Sequence, residues 1–478
     1  MRILFLQDSA INESLALCDV SACLKQAGHE TLLLLEDEEK DLGGSIRAWD
    51  AALTLIPCHV TGHQVALRLA RAAKRARPGT LVAMGGTHVT FEPDLALHGE
   101  VDVVVVGEAE GAVVELADRM VAGQGWTDVA NLAYARDGAL VKNPMRPLVE
   151  DLDTLPPPDR ELYYRYPFIA QFPFKKFTTG RGCVHSCTFC WNTTLRDMYS
   201  GQRFTRRKSP ARAVSEIRKV VKSHPTKNVH FSDDLFTVYP SWLDEFAGLY
   251  RDEVGVPFTC NSSVEMVTTR VCEALQRAGC RGVAIGIETG NEDLRSRILA
   301  KTVTNDDVRR AAALIKGHGM ELTTFNMIAS PGETLEDAFS TIALNREIGT
   351  DHVRCNIAIP LPHTDFEVKS MLNGALADDY GENRVDSIEN PQVAFLSDEE
   401  KAFVNLFYMF RPAVHMPALD PLVRRLVRLP TPQMLDFLRL WIPFEEKRIY
   451  HLGWREGFRY FRHVGDPHKR TANYVTLI

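Results

Sequence analysis

Cys183, Cys187 and Cys190 stand at C-x₃-C-x₂-C spacing, with Gly180-Arg181-Gly182 before them and Trp191-Asn192 after. Thiolates this close together are the ligands of iron–sulfur clusters. Three on one loop can grip three corners of a [4Fe–4S] cube and leave the fourth iron for a small molecule to chelate. A structural zinc site is closed by four protein ligands, and no C-x-x-C partner lies nearby. His185 is the nearest alternative fourth ligand, but inside so short a loop it would strain the backbone. Zinc, or plain loop cysteines, is the alternative against which the cluster reading stands.

Other reactive groups follow short apolar runs. Ser232-Asp233-Asp234, Asn261-Ser262-Ser263, Gly286-Ile287-Glu288-Thr289-Gly290 and Ser330-Pro331-Gly332-Glu333 form one series. Gln7-Asp8, Pro57–Gly62, Met84-Gly85-Gly86-Thr87-His88 and Gly107-Glu108 form another, nearer the N-terminus. The bland reading of Asp233-Asp234 is helix capping, and that of Gly85-Gly86 is a tight turn. Arg203, Arg206 and Arg207 face a carboxylate ligand or form a solvated basic patch.

The elements that must position these groups alternate strand and helix. Over 1–125 the pattern predicts strands at Arg2–Leu6, Glu30–Leu35, Ala51–Ile56, Thr80–Met84 and Asp102–Val106. Helices are predicted at Glu13–Ala27, Gly62–Arg77 and Glu110–Ala122. Such alternation predicts a Rossmann-like, doubly wound parallel sheet, whose ligands bind at the carboxyl ends of the strands. Asp137-Gly138 predicts a hairpin. Prolines crowd the 143–173 stretch, which reads as a linker carrying Tyr163, Tyr164, Tyr166 and Phe168. From Lys175 a second alternation gives six strands: Phe177–Thr179, Asn228–Ser232, Phe258–Asn261, Gly282–Gly286, Glu321–Ile328 and His352–Ala358. The last hundred residues read as mainly helical. A capping box at Ser397-Asp398-Glu399-Glu400 precedes a core face of Phe403, Leu406, Phe407 and Phe410. Further helices are predicted at Leu419–Arg428 and Pro432–Trp441, and Lys447–His463 mixes Arg with Tyr, Trp and Phe, an aromatic face that packs on the barrel or touches a membrane surface.

The cysteine spacing, with Phe189 before the last cysteine, resembles the signature of the radical S-adenosylmethionine (SAM) superfamily. Gly85–Phe91 and Val106–Glu110 are similar to the N-terminal cobalamin-binding domain of B12-dependent members. The resemblance implies an α/β chain in four parts. These are a Rossmann-like B12 domain over 1–142, the linker over 143–173, a partial (β/α)6 TIM barrel over 174–375 and a helical substrate cap over 376–478. It implies a [4Fe–4S] cluster on Cys183, Cys187 and Cys190, and SAM contacts from Phe189, Asp233, Asp234, Ser263 and Glu288. Cobalamin contacts fall on Pro57, Thr61, Gly62, Gly85, Gly86, Thr87, His88 and Glu108. The D-x-H-x-x-G motif by which other B12 enzymes ligate cobalt from below is absent; His59, His63 and His88 lie in other contexts.

The expected activity is C-methylation, in which a 5′-deoxyadenosyl radical activates a substrate carbon and methylcobalamin donates the methyl group. Oxidative cyclisation or rearrangement with the same cofactors is the alternative. A non-catalytic cobalamin sensor or carrier is a third reading, against which the intact cysteine loop argues. No residue is assigned a catalytic role. The expected partners are a small-molecule substrate, such as a natural-product, lipid or tetrapyrrole precursor, and an electron donor of the flavodoxin or ferredoxin kind.

Composition bounds these readings. The chain has 478 residues, 45% hydrophobic, with net charge −7, which gives no electrostatic footprint for nucleic acid. No apolar run reaches the ~20 residues of a membrane span. The start, Met1–Leu6, is too short in its apolar part for a signal peptide. Cys18, Cys23, Cys58, Cys260, Cys272, Cys280 and Cys355 lack framework spacing and read as reduced. A cytoplasmic location is the expectation.

Overall fold

The computed structural model describes residues 1–9, 13–59, 62–376, 399–429, 448, 453–454 and 456–457. The chain forms two compact units. Among the described residues, the first comprises Met1–Gln171 with Tyr199–Phe204; the second comprises Phe172–Met198 and those within Thr205–Arg462.

The first unit is built on seven strands: β1 Arg2–Gln7, β2 Glu30–Leu35, β3 Leu53–Pro57, β4 Leu81–Gly85, β5 Val103–Val105, β6 Leu132–Arg136 and β7 Ala139–Lys142. They lie in the order β2-β1-β3-β4-β5-β6-β7. β1 to β5 pair in parallel and β6 and β7 antiparallel. Ile3, Leu4, Phe5 and Leu6 are wholly buried, as a parallel sheet covered on both faces requires of consecutive residues. The expected hairpin forms: Asp137 and Gly138 both take positive φ, 53° and 76°, the geometry of a two-residue primed turn. It extends the sheet beyond the expected five strands.

Helices Leu15–Gln26, His63–Ala76 and Glu110–Val121 fall within two residues of their expected ends. Helix Leu42–Trp49 was not anticipated, because Gly43 and Gly44 in its first turn weaken the helical signal. Asp41 compensates, its carboxylate accepting from Gly44 N–H at 2.9 Å.

The proline-rich stretch is not a structureless connector. It holds helices Glu161–Tyr164 and Pro167–Gln171, and Pro167 sits at the first helical position, where a missing N–H costs nothing. Its tyrosines are buried in the first unit. Tyr163 Oη donates to Gln7 Oε1 at 2.5 Å, and Tyr166 Oη accepts from Leu35 N–H at 3.0 Å.

The second unit carries β8 Phe174–Phe177, β9 Gly180–Arg181, β10 Arg206–Arg207, β11 Asn228–Phe231, β12 Phe258–Ser262, β13 Cys280–Glu288, β14 Glu321–Ile328 and β15 His352–Ile357. Apart from the small antiparallel pair β9–β10, the strands form one sheet in chain order, β8-β11-β12-β13-β14-β15, with every pairing parallel. This is the sheet of a partial (β/α)6 barrel. β8 starts three residues earlier than expected, because Lys175-Lys176 interrupts the apolar signal in the sequence. One face is covered by helices: Phe231, Phe236, Phe246, Tyr250 and Phe258 form an aromatic cluster there. The other face is polar.

Helix Glu399–His415 lays Phe403, Leu406 and Phe410 against Val353, Cys355 and Ile357 of β15, and Asp420–Leu426 follows. Ser397, Asp398, the expected helix Pro432–Trp441 and most of Lys447–His463 lie outside the described residues.

Candidate functional site

The cysteine loop is clamped on both sides. Behind it, Asp233 accepts from Thr179 N–H at 3.1 and 3.0 Å and from the Thr179 hydroxyl at 2.8 Å. Arg207 joins them, donating to Thr179 Oγ1 (3.0 Å), Asp233 Oδ1 (3.4 Å) and Leu235 O (2.7 Å). Its guanidinium lies 4.4 Å from the Trp242 ring centroid. Arg207 is therefore structural, and so is buried Arg206 in β10; of the three arginines only Arg203 is exposed. Ahead, Thr188 Oγ1 donates to Ile298 O at 2.7 Å, and Phe366 N–H donates to Thr188 O at 3.0 Å. Trp191 Nε1 donates to Pro362 O at 2.8 Å. Phe189 packs against Leu294, Ile298, Leu299, Met327, Ala358 and Phe366.

None of the ten cysteines forms a disulfide, and six of the seven outside the loop are buried. Burial pushes the Cys187 thiol up to about 12 and Cys190 to about 11, and raises Cys183. A metal ligated by these thiols would have to displace those protons, coupling its binding to proton release. Among the described residues no three His, Cys, Asp or Glu side chains gather around a single metal ion. A cube, on which each thiol takes a different iron, asks for no such convergence. His185 N–H donates to Cys183 Sγ at 3.5 Å, while its buried Nε2 has no partner.

The carboxyl ends of the barrel strands bring further candidates to this loop. Asp234 is reached by solvent, yet dehydration by the protein around it raises its carboxyl, against a hydrogen bond from Asn192. Ser263, 5% exposed, keeps an unpartnered Oγ. Glu288 takes a left-handed φ of 61°, a strained conformation of the kind found at functional sites. Its carboxylate pairs with Lys301 Nζ at 2.9 Å, and Lys301 also donates to Gly286 O at 2.8 Å. A Cβ on Gly286 would come within 2.3 Å of Glu288 Oε1, so this glycine makes room for the ion pair. Burial by itself lowers Lys301, but Glu288 and Cys187 outweigh it and hold the ammonium above its ordinary range. Asp234 and Asp233 thus part company: Asp233 is consumed behind the loop, while Asp234 stays open.

Sequence reasoning missed Lys301 and Arg295. Neither lies in a recognisable motif, and Arg295 sits in a polar stretch that reads as a solvated helix. It is fully buried, donating to Ile287 O (3.0 Å), Val303 O (2.9 Å), Asn305 Oδ1 (2.7 Å) and Thr289 O, and so fixes the loop that carries Glu288.

In the first unit, β3, β4 and β5 are adjacent and parallel, so Pro57, Gly85–His88 and Gly107-Glu108 gather at one carboxyl edge. Gly86 has φ 123°, and a Cβ there would lie 2.7 Å from Cys58 O; the turn itself demands glycine. His88, 4% exposed, stacks on His63 at 4.8 Å. Glu108 Oε2 accepts from Val149 N–H at 2.9 Å, and Glu108 N–H donates to Tyr199 Oη at 3.3 Å. Gly62 precedes helix His63–Ala76, and Thr61 lies outside the described residues.

Residues 177–344 match the model of the Radical SAM superfamily, and residues 2–117 match that of the B12 binding domain. The chain is a B12-binding radical SAM protein. Its cofactors are a [4Fe–4S] cluster, SAM and cobalamin. It is 27% identical over 340 residues to the uncharacterized methyltransferase PH0819 of Pyrococcus horikoshii, covering 70% of this chain and 73% of that one. It is 26% identical over 312 residues to the anaerobic magnesium-protoporphyrin IX monomethyl ester cyclase of Rubrivivax gelatinosus, covering 63% and 55%. The structure of the cobalamin-dependent SAM radical enzyme OxsB, with aqua-cobalamin and SAM bound, superposes with a TM-score of 0.64 at 12% identity. That match covers 98% of this chain and 71% of that one, a likeness of fold.

Proposed function

We propose that this radical SAM enzyme methylates an unactivated carbon of a small molecule, with Cys183, Cys187 and Cys190 holding the cluster. The cysteine loop carries the reading: three thiols without disulfide partners, each within electrostatic reach of another, on one clamped loop at the carboxyl edge of a parallel barrel sheet. Three thiols hold three corners of a cube, and the remaining iron falls to SAM. Phe189 gives SAM an apolar wall, while Asp234, Ser263 and the Glu288–Lys301 pair offer polar contacts. Asp233 acts through Thr179, as a positioning residue. Pro57, Thr61, Gly62, Gly85, Gly86, Thr87, His88 and Glu108 take cobalamin at the edge of the first unit. When bound, the cluster and SAM supply a radical and cobalamin supplies a methyl group; the protein orients both and keeps water out.

The boundaries that go with this reading are 1–142 for the B12 domain, 143–173 for the linker, 174–375 for the barrel and 376–478 for the cap. A flavodoxin- or ferredoxin-like reductant and a reducing, cytoplasmic setting suit an oxygen-sensitive cluster. The relative named as a methyltransferase favours methyl transfer; the relative named as a cyclase keeps oxidative cyclisation as the second reading.

The first test is composition. Anaerobically prepared protein should hold about four irons per chain, and replacing all three loop cysteines with Ala should leave a folded protein without cluster absorbance. Retention of iron and absorbance by that variant sinks the assignment. The second test is turnover. With trideuteromethyl SAM and a small-molecule extract, both 5′-deoxyadenosine and S-adenosylhomocysteine should form, and the product should carry all three deuterons. Substrate consumption without S-adenosylhomocysteine would replace methyl transfer with cyclisation.

A further inference from the structure

The polar inner face of the barrel sheet holds groups that the cluster and SAM leave unused. On β15, Val353, Cys355 and Ile357 belong to the helix-covered core, so alternation turns Arg354 to the opposite face. Phe231 and Phe258 pack together on the covered side, which likewise turns His230 and Thr259 inward. Lys176, His230 and Thr259 are register neighbours, and His230 Nδ1 lies 2.9 Å from Thr259 Oγ1.

His230 is 5% exposed and its Nε2 has no partner. Arg354 Nε and Nη2 are buried and unpartnered too. Burial, with the charges of Lys176 and Arg354 beside it, drives the His230 ring down to about 3, so it is neutral and can act as a neutral donor. Arg354 as a whole is half-buried, and burying this edge of its guanidinium without an anion is costly. Three neighbouring carboxylates have partners of their own: Glu321 lies 3.2 Å from His352, Glu288 pairs with Lys301, and Asp234 engages Asn192. Nε and Nη2 form the edge of a guanidinium that accepts both oxygens of a carboxylate or phosphate side-on.

We propose that Arg354, on the same inner face as Lys176 and His230, anchors the subsite for an anionic group of the substrate, a carboxylate or a phosphate. This deepens the reading of the second unit as the catalytic core and rests on it. It also narrows the substrate to an acid or a phosphorylated molecule, whose anion anchors it inside the sheet's concave face.

The test needs no turnover. The anaerobic, cluster-loaded full chain is titrated by calorimetry with inorganic phosphate and, separately, with succinate; the tighter ligand tells the two sources apart. At least one should bind saturably, and Arg354→Met should weaken it roughly tenfold to a hundredfold. The same variant should keep its cluster absorbance and unfold at a higher temperature than the parent, because an unpaired buried charge has gone. Arg309→Gln, an exposed arginine on the helix Asn305–Gly317, should change neither quantity. The proposal is overturned if neither anion binds saturably below about 10 mM, or if Arg354→Met binds like the parent. It is equally overturned if that variant fails to fold, since the guanidinium would then be structural. Loss of anion binding alone leaves the cluster assignment standing. Loss of cluster or of SAM-derived products with anion binding intact does the reverse.

Discussion

Single buried groups set the local energetics of this chain. Arg295 has four acceptors and no water, so its loss strands several carbonyls at once. Arg295→Met should destabilise the second unit by about 3 kcal/mol or more, read as a lower urea midpoint for loss of cluster absorbance and helical signal together. A midpoint unchanged within error would show that the network is dispensable. Glu333 makes a prediction of the opposite kind. Burial lifts its carboxyl from the ordinary 4.5 to about 8, although Ser330 N–H donates to it at 2.8 Å. The folded chain holds this proton more tightly than the unfolded chain does. Its contribution to stability is therefore full below about pH 4.5 and is lost as pH rises to about 8, at up to ~1.4 kcal/mol per pH unit. Glu333→Gln keeps the acceptor for Ser330 and cannot ionise. Its advantage over the parent in melting temperature should grow from pH 5 to 8 and then level off. A pH-independent difference would place the proton elsewhere.

At the scale of elements, packing rather than propensity decides which helices hold. Helix Glu399–His415 covers β15 through Phe403 and Phe410, which are 2% and 0% exposed. Phe410→Ala should cost about 3–5 kcal/mol. Because this helix backs the strand bearing Arg354, the variant should also loosen anion binding, whereas Phe407→Ala, at the partly buried margin, should cost much less. Equal penalties from urea unfolding of the two variants would show that the helix does not dock as described. The proline-rich stretch makes the same point from the other side. Its sequence reads as breaker-rich, but Tyr163 and Tyr166 find buried partners on β1 and β2, and those bonds turn it into part of a domain.

For the whole molecule, the division into two units predicts that cobalamin and iron respond to different substitutions. Tyr199–Phe204 belongs to the first unit although its neighbours in sequence belong to the second. Tyr199 Oη meets Glu108 N–H at 3.3 Å, at the sheet edge assigned to cobalamin. Tyr199→Phe removes a hydrogen bond worth about 1 kcal/mol. It should therefore reduce the cobalamin retained after gel filtration several-fold while leaving iron content unchanged. Equal losses of both, or loss of iron alone, would contradict that separation.

The sequence by itself determined what short-range pattern and composition can carry. C-x₃-C-x₂-C pointed to the proposed cluster loop, because three thiols within one short loop can reach one cube together. Continuous apolar runs such as Ile3–Leu6 marked parallel strands, and Asp137-Gly138 marked a hairpin because few residue pairs tolerate two positive φ values. Tertiary structure decided which of two neighbouring carboxylates is left open. Asp233 and Asp234 are chemically identical in sequence, and only the fold delivers Thr179 and Arg207 to one of them. It likewise decided that Lys301 meets Glu288, that Arg295 is buried, and that Lys176, His230 and Arg354 share a face. Lys176, His230 and Arg354 lie on three different strands far apart in sequence, and only the folding of those strands into one sheet, which no local pattern encodes, turns them to a common face.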